Sequence, residues 1–107
     1  MAFYLIQASY TAQAVAAMVK NPQDRAAVVR PMIERLGGKL HGLWFAFGAH
    51  DIVAIAEMPD NVGAAAVAMA IGSSGAMSAY QSTPLMTSAD AVEAMKQAAA
   101  IGYQAPK

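Results

Sequence analysis

Two runs with strand character, Lys39–Phe47 and Asp51–Met58, are separated by only Gly48-Ala49-His50. A link that short cannot return the chain for a parallel pairing, which needs a crossover of a dozen residues or more. The two runs therefore read as a hairpin. Every other element of the chain has to be arranged around that pair.

Phe3–Ser9 reads as a first strand, and Tyr10-Thr11 ends it. Val15, Met18 and Val19 then fall at helical spacing. Asn21-Pro22 looks like a helix start, with Asn as cap, Pro at the first helical position and Asp24 in the first turn. Val29, Met32, Ile33 and Leu36 continue that helix, and Gly37-Gly38 stops it. Pro31 lies inside it, which predicts a kink near Ala27–Arg30 or a break into two short helices.

After the hairpin, Asp60 is placed to cap a helix ending at Gly72, with Val62, Ala66 and Met69 as its buried stripe. Ala76–Leu85 is a fourth strand, confined to an edge by Pro84. Thr87 and Asp90 suit the start of a last helix. That helix would turn Val92, Met95 and Ala99 inward and pair Glu93 with Lys96 outside. Residues 102–107 read as a frayed tail of a single 1–107 domain.

The order is β-α-β-β-α-β with an extra C-terminal helix. Right-handed crossovers and the hairpin favour an α+β, ferredoxin-like antiparallel sheet in the order 4-1-3-2, with helices on one face. Alternation groups Tyr4, Ile6, Ala8, Ile52, Ala54 and Ala56 on one face, and small residues there suit close-lying helices. Phe3, Leu5, Gln7, Ser9, Val53, Ile55 and Glu57 take the other. An apolar sheet face without helix cover needs a partner. Two such sheets stacked face to face make a dimeric α/β barrel, so the expected partner is a second copy of the chain.

Composition narrows the function classes. Seven basic residues balance seven acidic ones, which disfavours a phosphate-tracking nucleic-acid binder. No cysteine is present, so there is no disulfide, thiol nucleophile or Cys-ligated metal. Residues 1–19 and 61–89 carry no charge. The first stretch lacks a basic leader, and polar residues, Gly and Pro interrupt both. The chain reads as soluble and cytoplasmic, with no membrane partner. Only 13% of residues are charged, and in so small a domain that points to an interface.

Candidate chemistry is sparse. His50-Asp51 fits a general base or proton shuttle at a strand edge. It fits better a turn in which Asp51 binds the hairpin backbone and His50 merely replaces an aromatic. Neighbouring strand residues point to opposite faces, which weakens a direct dyad. Glu57, an acid in an apolar strand, fits a carboxyl of raised pKa inside a barrel, or a strand-end salt bridge to Lys39 or an Arg. His41 and His50 would need Asp51 or Glu57 to hold a metal, and no metal-ligand spacing is present. Gln7, Ser9, Ser78, Tyr80 and Ser82 could add polar groups to an apolar pocket, or line a wet edge strand. Trp44, Phe45 and Phe47 fit a ligand site, a core or an interface. Arg25, Arg30 and Arg35 rotate round their helix and form no basic stripe. Gly72-Ser73-Ser74-Gly75 follows a helix, where a phosphate loop would follow a strand. No cofactor is expected.

Tyr10-Thr11, Pro22 with Arg25, Gly37-Gly38-Lys39, Gly48-Ala49-His50-Asp51, Pro59-Asp60 and Ser74-Gly75 follow one another as in GYD-domain proteins, and the chain resembles that family from about Phe3 to Thr87. The family takes its name from Gly-x-Tyr-Asp, and here His50 stands in the place of the Tyr. The resemblance implies a small bacterial protein of dimeric α/β-barrel type. It implies a fold and not an activity.

Two functions fit these residues. One is a homo-oligomer that binds a small, largely apolar ligand at the sheet or dimer interface, with Tyr80, Trp44, Gln7, Ser9 and Ser78 as contacts. In that reading His50, Asp51 and Glu57 are the groups available for catalysis. The other is an assembly or regulatory module without chemistry, whose apolar sheet face serves only to oligomerise.

Overall fold

Gly37 and Gly38 show how local sequence sets the chain path. The computed structural model describes residues 1–107, and its second helix ends in a Schellman turn. The Gly37 N–H donates to the Glu34 carbonyl, and the Gly38 N–H donates to that of Ile33. Gly37 sits at φ +80°, where a side chain would be strained. At Gly38 a Cβ would come within 2.5 Å of the Glu57 carbonyl oxygen. The chain therefore passes from helix into sheet at a point only glycine can occupy.

Strands β1 (Ala2–Tyr10), β2 (Lys39–Phe45), β3 (Ile52–Met58) and β4 (Met77–Leu85) form one antiparallel sheet in the order β2-β3-β1-β4. This is the expected ferredoxin-like order read from the opposite edge. Helices α1 (Ala12–Lys20), α2 (Arg25–Arg35) and α3 (Asn61–Gly72) pack on one face, and α4 (Ser88–Ala100) follows β4. No helix is long and apolar enough to cross a membrane.

The face assignment holds. Tyr4, Ala8, Ile52, Ala54 and Ala56 are buried, joined by Ile33, Leu40, Met58 and Val67 from the helices and strand ends. Burial alternates residue by residue along β3, the mark of a sheet covered on one side. Phe3, Leu5, Val53 and Ile55 lie on the other face and remain partly exposed.

Several local expectations are corrected. Asn21 ends α1 rather than starting α2; Asp24 is the cap, its carboxylate accepting from the Ala26 N–H at 2.9 Å. Asp can cap as well as Asn, and it stands directly before the inward-facing residues. Pro31 does not break α2. Both Pro31 and Ala27, whose carbonyl loses its donor, are exposed, so water can replace the missing bond. Strand β2 stops at Phe45, leaving residues 46–51 as the hairpin connection and Phe47 wholly in solvent.

Two helical stripes also differ. In α1, Val15 and Val19 are exposed while Ala14 and Met18 pack on the sheet. In α3, Ala64, Val67 and Ile71 face the core, and Val62 and Met69 face out. Alanine fills so much of α3 that periodicity alone does not choose its face. Thr87 caps α4 through the Asp90 N–H, and Lys96 pairs with Glu93 at 3.3 Å, both as expected. The inward packing of Val92, Met95 and Ala99 does not occur: α4 has no buried residue. The Cα radius of gyration is 17.2 Å, against about 13 Å for a rounded domain of this length. A helix standing off the body accounts for that excess.

Candidate functional site

The helix layer does not fill the space above the sheet. A cavity of about 190 Å³ lies between α2, α3 and the strands, and seventeen of its nineteen lining residues are hydrophobic. Ile6, Leu43 and Ile52 form part of its floor; Val29, Met32 and Ile71 form part of its roof. The small side chains of Ala8 and Ala54 leave room that larger ones would occupy. Arg25 and Ser74 are the two lining residues that are not hydrophobic.

Two polar atoms of the lining are buried without a hydrogen-bond partner: the Tyr80 hydroxyl and Arg25 Nε. Burial raises the Tyr80 pKa above its ordinary 10.0. Burial likewise raises that of Tyr10, opposed by the neighbouring Arg25 charge and reinforced by Asp51. Both phenols are therefore neutral at physiological pH. Arg25 Nη1 reaches the Gln23 side-chain oxygen at 2.6 Å, and Arg25 forms no ion pair with any carboxylate.

The residues singled out in the sequence are not brought together. Tyr80 lines the cavity, and Ser82 lies beside a much smaller void near Tyr4. Ser78 does not join them. A bulge shifts the β1–β4 register between Ser9 and Tyr10, so Met77 pairs with Tyr10 and Ser78 turns its hydroxyl to the Ser9 carbonyl. That irregularity breaks the alternation that would have set Ser78, Tyr80 and Ser82 on one face.

Gln7, Ser9 and Trp44 lie away from the cavity. Trp44 covers Gly42, where a Cβ would meet the indole at 2.4 Å. Ser9 makes a long bond to the Ala49 carbonyl. Glu57 is held on the uncovered face by His41, Nε2 to Oε1 at 2.8 Å, rather than by Lys39 or an Arg. Phe3 lies against the same imidazole, ring centroids 5.3 Å apart.

Asp51 uses its carboxylate to accept the Tyr10 N–H at 2.9 Å, while its backbone N–H donates to the Ala8 carbonyl. This ties the hairpin connection to β1. His50 Nδ1 is buried without a partner and makes no bond to Asp51. His50, Asp51 and Glu57 do not converge on one point, and no three His, Asp or Glu side chains cluster closely enough to hold a metal ion.

In the sequence Arg25 reads as one of three arginines that rotate round their helix. Its signal is nonetheless present. Arg25, Val29, Met32 and Ile33 fall at i, i+4, i+7 and i+8, the spacing of one helix face. Starting the helix at Asn21-Pro22 concealed that Arg25 is the charged end of the inward stripe.

No curated protein and no solved structure matches this chain. The profile of the GYD domain matches residues 4–95, a span that takes in all of the sheet but the first two residues of β1, the first three helices and every cavity-lining residue. This chain belongs to the GYD-domain family.

Proposed function

We propose that this protein is a homo-oligomer that binds a small, largely apolar molecule between its sheet and its helices. The observation that carries this reading is the hydrophobic cavity with an unpartnered Tyr80 hydroxyl in its wall. Folding costs free energy for every buried polar group left unpaired, and a ligand group that pairs with Tyr80 removes that cost. A dry cavity of about 150 Å³ accepts benzene; one of about 190 Å³ suits a single ring with a substituent, or a short branched chain.

Oligomerisation rests on exposed surface. The chain presents 7264 Å² to solvent, whereas a monomer of 11.1 kDa presents about 5,700 Å². Phe3, Leu5, Val53 and Ile55 on the bare sheet face, and Val92 and Met95 on α4, contribute to that surplus. Stacking of two bare faces would give the dimeric barrel. His50, Asp51 and Glu57 remain available groups, and no reaction is assigned to them.

The same surplus surface favours a second reading, an assembly module with no ligand. Native mass spectrometry of freshly purified, untagged protein separates the two. A dimer or multiple of it carrying extra mass supports ligand binding. An oligomer that carries no extra mass, and takes up none on exposure to small aromatic compounds, supports the assembly module. A stable monomer overturns the oligomer in both.

A further inference from the structure

The cavity has one charged end. Arg25 enters it from the first turn of α2, with Nε buried and unpartnered, and the Tyr80 hydroxyl is buried and unpartnered in the same lining. Arg25 Nε can only donate, and a phenol hydroxyl donates readily. What both lack is an acceptor. Arg25 also forms no ion pair: the Asp24 carboxylate accepts the Ala26 N–H, that of Asp51 accepts the Tyr10 N–H, and neither reaches the guanidinium. The Nε edge of this half-buried guanidinium is shielded from water while Nη1 reaches Gln23 at the surface, so an anion in the cavity would supply the acceptor that Nε lacks. The N-terminal end of α2 adds a partial positive charge at the same place.

The rest of the wall excludes charge. Beyond Arg25 and Ser74 the lining is hydrophobic, so a ligand with a second charged group would bury it against side chains such as Val29, Met32 and Ile71. The volume admits one ring or a short chain. We propose that the cavity takes a small apolar monocarboxylate, such as an aryl or branched-chain acid, with its carboxylate on Arg25 Nε and the Tyr80 hydroxyl. A guanidinium edge and a carboxylate match in plane and spacing, which an ammonium could not reproduce. Of the other polar lining residues, Tyr10 has a hydroxyl to offer, whereas the Ser74 hydroxyl already donates to the Ile71 carbonyl at 2.6 Å and accepts from the Ala76 N–H.

This assignment rests on the cavity being the ligand site, and the test separates the two claims. Phenylacetate, phenylacetamide and ethylbenzene have similar size and differ in charge and polarity. Each is titrated into the full-length protein and followed by NMR at the methyl groups of Met32 and Met77, which line the cavity. Phenylacetate is expected to bind roughly tenfold or more tightly than either neutral compound, the range for a charge-assisted hydrogen bond. Arg25→Gln is expected to abolish that preference while leaving ethylbenzene binding in place. Tyr80→Phe, which keeps the ring, is expected to weaken phenylacetate several-fold and not ethylbenzene. Retained ethylbenzene binding shows that each variant still folds around its cavity. Equal binding of all three compounds to the unaltered protein overturns the carboxylate assignment and leaves the cavity as an apolar site. No binding of any of them overturns the cavity reading itself.

Discussion

Tyr4 and Tyr80 both lie beneath the helix layer, on adjacent strands of one sheet, and only Tyr4 has its hydroxyl satisfied. Tyr4 donates to Asn61 Oδ1 at the start of α3, whereas the Tyr80 hydroxyl has no partner. The same substitution should therefore act in opposite directions. Tyr4→Phe is expected to destabilise by about 1 kcal/mol, the net worth of a hydrogen bond, with Asn61 left unpaired. Tyr80→Phe is expected to be neutral or to stabilise by roughly 1 kcal/mol, because it removes an unsatisfied buried group. Urea unfolding of both variants checks the pair; equal destabilisation would mean that Tyr80 has a protein partner after all.

The raised pKa values of Tyr10 and Tyr80 predict weakness in alkali. A phenol whose pKa is higher folded than unfolded holds its proton longer in the folded state. Its contribution to stability is full below the unfolded value of 10.0 and is lost as pH rises through the folded value. Stability measured by urea unfolding should thus be flat from about pH 8 to 9.5 and decline above pH 10. Tyr80→Phe should make that decline shallower.

Leu5 and Ile55 are cross-strand partners on the bare face of the sheet. Ile55→Lys places a charge at the centre of the proposed barrel interface. The expected result is a monomer in native mass spectrometry whose far-ultraviolet circular dichroism is unchanged, since Ile55 takes no part in the core beneath the helices. An intact dimer would move the interface elsewhere.

The His41–Glu57 bond is partly exposed, with 34% and 21% of the two side chains in solvent. Pairs of that kind contribute little, roughly 0–1 kcal/mol. Glu57→Gln should lower stability by less than about 1 kcal/mol and leave binding of an apolar probe in the cavity unchanged. A large loss of probe binding would return Glu57 to the site.

Gly38 makes a sharper prediction. Gly38→Ala puts a methyl against the Glu57 carbonyl and Met58, which is itself fully buried. The backbone oxygen cannot move aside cheaply, so the cost should reach about 2 kcal/mol or more. Thermal unfolding of this variant, compared with Gly48→Ala, whose added Cβ meets nothing within 4 Å, checks the difference.

How far the sequence alone reaches depends on the range of the interactions concerned. The sheet order, the alternation that sets Tyr4, Ala8, Ile52, Ala54 and Ala56 beneath the helices, the Gly37-Gly38 stop and the caps at Asp60 and Thr87 were all legible. Strand period, turn chemistry and capping act over a few residues, and the short hairpin with right-handed crossovers then leaves few topologies. The buried face of alanine-rich α3 and the free-standing α4 were not legible, because each depends on which distant surface is within reach. Nor was the cavity. Its Tyr80 comes from β4, its Arg25 from α2 and its floor from β1, β2 and β3, and the bulge at Ser9–Tyr10 decides that Tyr80 enters without Ser78. A void is a failure of side chains from separate elements to meet, and only the tertiary structure determines where that occurs.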